Sequence, residues 1–206
     1  MNIGSTRRAI RFAALILPLT WIPGLVEGQT AQAQSFGVAV RSATIDQTSA
    51  SAVAPVDGGM SWAEAGEVTV ASLVTAQDAV AIAGGSSDGA YSDAVSSATL
   101  GTVSILGGVI TADGVIAMAT STPGDSDAAG SGFPNLVVNG VELSDPAPNT
   151  RVALPGIGYA LLNEQIATAG GMTVNMIRVV LQQSTLLGGL RTIGSIVVGS
   201  ASSSVN

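Results

Sequence analysis

Cysteine, histidine and lysine are absent from all 206 residues. Without cysteine there is no disulfide staple, no thiolate nucleophile and no zinc–sulfur site. The lack of histidine removes the usual general base at neutral pH and the commonest metal ligand. Schiff-base chemistry, serine–lysine dyads and lysine cross-links all need the missing lysine. Aromatic residues make up only 3% of the chain. Beyond residue 33 they reduce to Phe36, Trp62, Tyr91, Phe133 and Tyr159, too few for the stacked platforms of a sugar cleft. These absences argue against an enzyme, and they leave no residue that composition alone marks as catalytic, cofactor-binding or metal-binding.

What is present begins with an export signal. Arg7, Arg8 and Arg11 form a basic start, Phe12–Val26 is apolar, and Ala31-Gln32-Ala33 offers the small-x-small pattern that signal peptidase accepts. The apolar run carries Pro18, Pro23 and Gly24 and is short for a bilayer span, so a cleaved leader is favoured over a retained anchor. Arg7-Arg8 touches the twin-arginine pattern, but the residues after it fit the Sec route better. The expected organisation is a signal peptide over 1–33, cut after Ala33, and one secreted domain over 34–206. That domain keeps four arginines against 13 acidic residues, a net charge of −9. Such a body has no electrostatic footprint for nucleic acid or for an anionic membrane.

Short strands follow one another between turn signals. Gln34–Asp46 reads as a first strand with Val38 and Val40 on one face, and Thr48–Gly66 as loop or edge structure carrying Trp62. Glu67–Val74 alternates as a strand, Ala76–Ala83 fits strand or short helix, and Gly84–Gly89 reads as a turn. Gly107-Gly108 between Thr102–Leu106 and Val109–Asp113 predicts a hairpin pairing Ile105 with Ile110 and Val103 with Ala112. Asn139-Gly140 predicts a second, pairing Val138 with Val141, Val137 with Glu142 and Leu136 with Leu143. Pro123–Pro134 reads as a long polar loop. Val152–Leu154, Ile157–Asn163, Met172–Gln182 and Ile193–Ser200 complete the strands. The pattern predicts an all-β fold, a single antiparallel β-sandwich or barrel-like domain; a parallel solenoid is the runner-up, without a strict repeat to support it.

Three motifs carry weak chemistry. Gly85-Ser86-Ser87-Asp88-Gly89 matches a nucleophile elbow, but that elbow needs a histidine the chain lacks. Asp125-Ser-Asp-Ala-Ala-Gly130 opens like a calcium loop, yet Ala129 and Leu136 stand where oxygen ligands belong, so a solvated turn is favoured. Asp113, Glu142, Asp145 and Glu164 are the acids a carboxylate-dependent hydrolase would draw on. For Asn163-Glu164-Gln165 the preferred reading is structural, side chains bonding to exposed backbone between strands.

The most distinctive order of residues is Pro148-Asn149-Thr150, Leu154-Pro155-Gly156-Ile157-Gly158 and Asn163-Glu164-Gln165, followed by Val174-Asn175-Met176-Ile177 and Ile196–Ala201. With Leu106-Gly107-Gly108 and Thr111-Ala112-Asp113, these motifs resemble the choice-of-anchor P family of secreted bacterial proteins over roughly Ala94–Val205. The resemblance implies an exported domain that occurs with varied C-terminal anchors and has no assigned activity. Arg178 stands where the family pattern has histidine. The final residues, Ser202–Asn206, carry no apolar tail or sorting motif, which predicts a protein released or held non-covalently. The combined expectation is a secreted, non-enzymatic surface or matrix domain, structural, adhesive or self-associating, whose partners are itself or other surface proteins. The alternative is a small-ligand or calcium-binding module at Asp125 and Asp127. If the domain assembles, the first strand, Phe36–Ile45, is one candidate for donation to a neighbour's sheet.

Overall fold

The structure, a computed structural model, describes residues 30–88, 91–186 and 188–206. The expected leader falls almost wholly outside them. Two antiparallel sheets pack face to face into a β-sandwich, with no helix among the described residues. In chain order the strands are β1 (Ala31–Ser42), β2 (Asp46–Val53), β3 (Gly59–Val70), β4 (Val74–Ser87), β5 (Ser92–Ile105), β6 (Ile110–Thr122) and β7 (Asp125–Asp127). They continue with β8 (Asn135–Val138), β9 (Val141–Glu142), β10 (Thr150–Leu154), β11 (Gly158–Thr168), β12 (Gly171–Ser184) and β13 (Leu190–Val205). The first sheet runs β10-β11-β12-β13-β1-β2, the second β3-β4-β5-β6-β8-β9, with β7 on β6.

Both turn-based hairpins have the expected register. Ile105 faces Ile110 and Val103 faces Ala112, all four buried. Val138 faces Val141 and Val137 faces Glu142 across Asn139 and Gly140, both at positive φ as a type I′ turn requires. The first loop spans Leu106–Val109 rather than two residues, because Leu106 also turns to positive φ and donates its N–H to the Leu73 carbonyl.

Other stretches depart from expectation. Glu67–Val74 is not one strand: Ala71 takes a positive φ, Leu73 N–H bonds the Val70 carbonyl at 3.0 Å, and the chain reverses there from β3 into β4. Thr48–Gly66 contains the two edge strands β2 and β3. Gly84-Gly85 lies inside β4, where the Ala31 methyl sits 3.2 Å from a Cβ built on Gly85. Pro123–Pro134 is largely tied down. Gly124 turns β6 into β7, and Gly132 forms a bridge with Ile116. The first strand is completed within its own sheet, between β13 and β2, so it is not left open for donation.

A transverse crease crosses each sheet. In the first it passes through Asn163, Met176, Gly199, Gly37 and Ala50, one residue per strand, with positive φ at Asn163, Gly199 and Ala50. In the second it passes through Gly66, Asp78, Gly101 and Gly114, with positive φ at Asp78 and Gly114. The ladders keep their register on both sides, but the buried phase shifts. In β4, Val74 and Ala76 give way to Ala79 and Ala81; in β6, Ile110 and Ala112 give way to Val115 and Ala117. A left-handed residue resets which way the next side chain points, so one face stays buried across an odd step. The two creases meet inside the sandwich. A Cβ at Gly199 would lie 2.9 Å from Val115 Cγ1, and one at Gly37 would lie 3.0 Å from Ala79 Cβ.

The crease divides the core by side-chain size. On one side Val38, Val40, Val70, Ile105, Ile110, Leu136, Leu154, Leu162, Ile177 and Ile196 form the aliphatic half. On the other, beyond Leu100, Val115 and Val174 beside the crease, the sheets meet through Ala33, Ala52, Ala81, Ala83 and Ala94, with Val205 among them. Buried serines join them directly there: Ser35 Oγ donates to the Ile82 carbonyl at 2.9 Å, Ser96 Oγ to the Ser202 carbonyl at 2.9 Å, and Ser121 and Ser203 share a 2.8 Å bond. Ala31–Ala33 belong to this half. They pair with Ser203–Val205, and Thr30 exchanges backbone bonds with Asn206. A cut after Ala33 removes those pairs.

Candidate functional site

The segment that stands out in sequence folds as a platform at one edge of the first sheet. Asn149, at positive φ, donates its N–H to the Asn163 carbonyl and accepts the Gln165 N–H on its side chain at 3.0 Å. Asn163 Nδ2 donates to the Pro146 carbonyl at 3.4 Å, and Gln165 Nε2 donates to Asn163 Oδ1 at 3.0 Å. Asn163 and Gln165 therefore hold the incoming loop onto β11. Pro155-Gly156 makes the tight turn from β10 to β11. Gly158 follows at φ 143°, where a Cβ would run into the Val180 carbonyl oxygen.

Glu164 begins a buried polar row. It lies directly opposite Asn175, and Asn175 directly opposite Ser200. Val174 and Met176 enter the core, so Asn175 between them points to the outer face of the sheet, and its two partners share that face. Asn175 Nδ2 donates to Glu164 Oε2 at 2.7 Å and Ser200 Oγ donates to Asn175 Oδ1 at 2.8 Å. Arg178 Nη1 reaches Glu164 Oε1 at 2.8 Å. The Glu164 side chain is 8% exposed and that of Arg178 39%. Both carboxylate oxygens are occupied, which suits a structural charge rather than a proton-transfer group. Sequence singled out Glu164 without joining it to Asn175, Arg178 and Ser200, because that takes the cross-strand register of β11, β12 and β13.

The remaining acids are not assembled with it. Glu142 is exposed on β9 of the other sheet, Asp113 is exposed on β6, and Asp145 is exposed in the loop before β10. Asp125 and Asp127 are both exposed on β7, and Asp127 Oδ1 accepts the Ala129 N–H at 2.9 Å. Among the described residues no three acids gather closely enough to hold a metal ion. Ser86 lies in β4 and hydrogen-bonds Asp93 on β5, so Gly85–Ser87 of the elbow-like motif are part of a strand, and Gly89 lies outside the described residues. An open cleft of about 460 Å³ lies beside the Pro155–Gly158 turn, between Gln182, Gln183, Leu190 and Ile193. It contains no acid and no arginine.

The feature that sequence did not bring out is on the second sheet. β3 is its outermost strand, paired only with β4. Trp62, 62% exposed, stands directly opposite Ile82, and Met60, 70% exposed, is next along the same face. Val95, also exposed, extends the apolar strip onto β5. The edge strand is thus long, unpaired on one side and apolar at one end. Glu64 and Glu67 continue it as exposed charges. Among the described residues no helix is long and apolar enough to cross a membrane. Comparison of the chain with protein-family models, with curated proteins and with solved structures finds no match.

Proposed function

We propose that the chain is an exported, non-enzymatic β-domain of the cell surface or extracellular matrix that works by associating with itself or with other surface proteins. The observation that carries this reading is the open edge of β3 with Met60, Trp62 and Ile82 beside it. Long apolar edges are ordinarily blunted or covered, because their free backbone groups recruit another strand. The basic-then-apolar N-terminus supports export. The motifs that resemble the choice-of-anchor P family support a place at the cell surface. The missing histidine, cysteine and lysine support a role without covalent or acid–base chemistry.

Sedimentation velocity over a hundredfold range of protein concentration tests it. Reversible growth in mass is the expected outcome, and Met60→Ser with Trp62→Ser should return the protein to monomer while leaving its circular dichroism unchanged. A wild-type chain that stays monomeric throughout and binds no surface protein overturns the reading.

A further inference from the structure

We infer that the partner of the β3 edge is β10 of a second copy, joined head to tail in one continuous antiparallel sheet. This rests on the self-association just proposed and names its two surfaces. β3 and β10 are outermost strands of different sheets. The neighbours of each place them at opposite sides of the sandwich: β2 lies against β3, whereas Asn139, in the β8–β9 turn, reaches the Ala153 carbonyl of β10 at 3.2 Å.

The two edges match in stereochemistry. Each strand ends in a three-residue reversal of the same kind, with Leu73 N–H on the Val70 carbonyl and Ile157 N–H on the Leu154 carbonyl, both at 3.0 Å. In each, the last buried residue bonds inward, so the exposed residues before it aim their backbone groups at the open edge. The Ala153 carbonyl points outward too, where it accepts Asn139 Nδ2 of its own chain and keeps a second lone pair for an incoming N–H. An antiparallel ladder between the strands keeps exposed residues on one face and buried ones on the other.

Charge then selects the register and the partner. Arg151 is exposed on β10 and is held over the Tyr159 ring at 4.0 Å, with no carboxylate partner among the described residues. Arg41 and Arg178 are already paired, with Asp46 and Glu164, and Arg191 lies on β13, an inner strand rather than an edge. Setting Arg151 beside Glu64 brings Ala153 beside Trp62 and Val152 beside Ala63. This puts opposite charges together, gives the indole a small neighbour, and leaves the crease residue Gly66 outside the ladder. Pairing β3 with β3 would instead give Glu64 and Glu67 no opposite charge, because β3 carries no arginine. A contact between different surfaces does not close on itself and generates filaments.

Charge reversal with rescue is the test, read by sedimentation velocity and negative-stain microscopy of the purified protein, with circular dichroism to show that each variant is folded. Glu64→Arg and Arg151→Glu should each weaken assembly by about tenfold or more in dissociation constant. The double variant, which restores the pair with its polarity exchanged, should assemble like wild type. Assembly that survives both single reversals, or a double variant no better than the singles, overturns the β3–β10 contact and leaves self-association standing. Loss with Glu64→Arg alone, untouched by Arg151→Glu, assigns the edge to a symmetric β3 pair and also overturns it. A wild-type protein with no assembly removes the self-association reading together with this inference.

Discussion

The two halves of the sandwich, divided by the crease, are built on different principles. The aliphatic half fills the space between its sheets with Leu, Ile and Val, each contributing through the area it removes from water. The Ala/Ser half has little area to remove. There the sheets approach until alanine methyls touch and buried serines bond from one sheet to the other. Volume is the vulnerable quantity in the first half, and clearance together with polar satisfaction in the second. An apolar composition therefore does not predict how a β-sandwich core responds to change; the size class of its inner residues does.

Four experiments break or sharpen that contrast, each read by urea denaturation. The largest effect is expected in the aliphatic half, where Ile196→Ala should cost about 3 kcal/mol through lost transfer energy and a residual cavity. In the other half the harmful change runs in the opposite direction: Ala81→Leu should cost about 2 kcal/mol by overpacking, and equal tolerance at both sites would dissolve the distinction. A chain beginning at Gln34 should be about 1.5 kcal/mol less stable than one beginning at Thr30. It loses the backbone bonds to Asn206 and the Ala31–Ala33 pairs. Equal stability of the two would place those residues outside the cooperative unit. N-terminal sequencing of the protein recovered from cells and from the medium shows which form is made. The smallest effect is expected for Ser35→Ala, about 1 kcal/mol, since the Ile82 carbonyl loses its donor. A neutral result would mean that close packing alone holds the small-residue half.

The hairpins around Gly107-Gly108 and Asn139-Gly140 were legible because turn chemistry and side-chain alternation are both local. The β3–β4 reversal at Ala71–Leu73 was not, since it contains neither glycine, proline nor asparagine and depends on Leu106 donating to Leu73 from another turn. Gly84-Gly85 imitated a turn, although it lies within β4 and Gly85 is where the Ala31 methyl of the other sheet comes close. Export, compartment and partner were read from the chain's ends and composition and stand as proposals. In the candidate site, Asn163 and Glu164 were visible as unusual residues. Asn175 and Ser200 were visible only within longer motifs and Arg178 only as a departure from a family pattern, since joining them to Glu164 takes the register of three successive strands, β11 to β13. Trp62 was visible as an edge residue, but the apolar strip around it needed Ile82 and Val95 from two further strands.

The creases also answer a problem that many-stranded sheets of small, repetitive residues face. Runs such as Ala79–Ala83 and Ser200–Ser204 look much the same after a slip of two residues, so their own side chains hold alignment weakly. Such a slip would carry Gly199 or Gly114 off its line and bring Val, Ala or Ile to a backbone position that turns left-handed and has no room. A strand that carries such a residue is thereby indexed against its neighbours at one fixed point. The crease works as a notch on a ruler, and a low-information sequence needs only one such notch per strand to assemble in a single way.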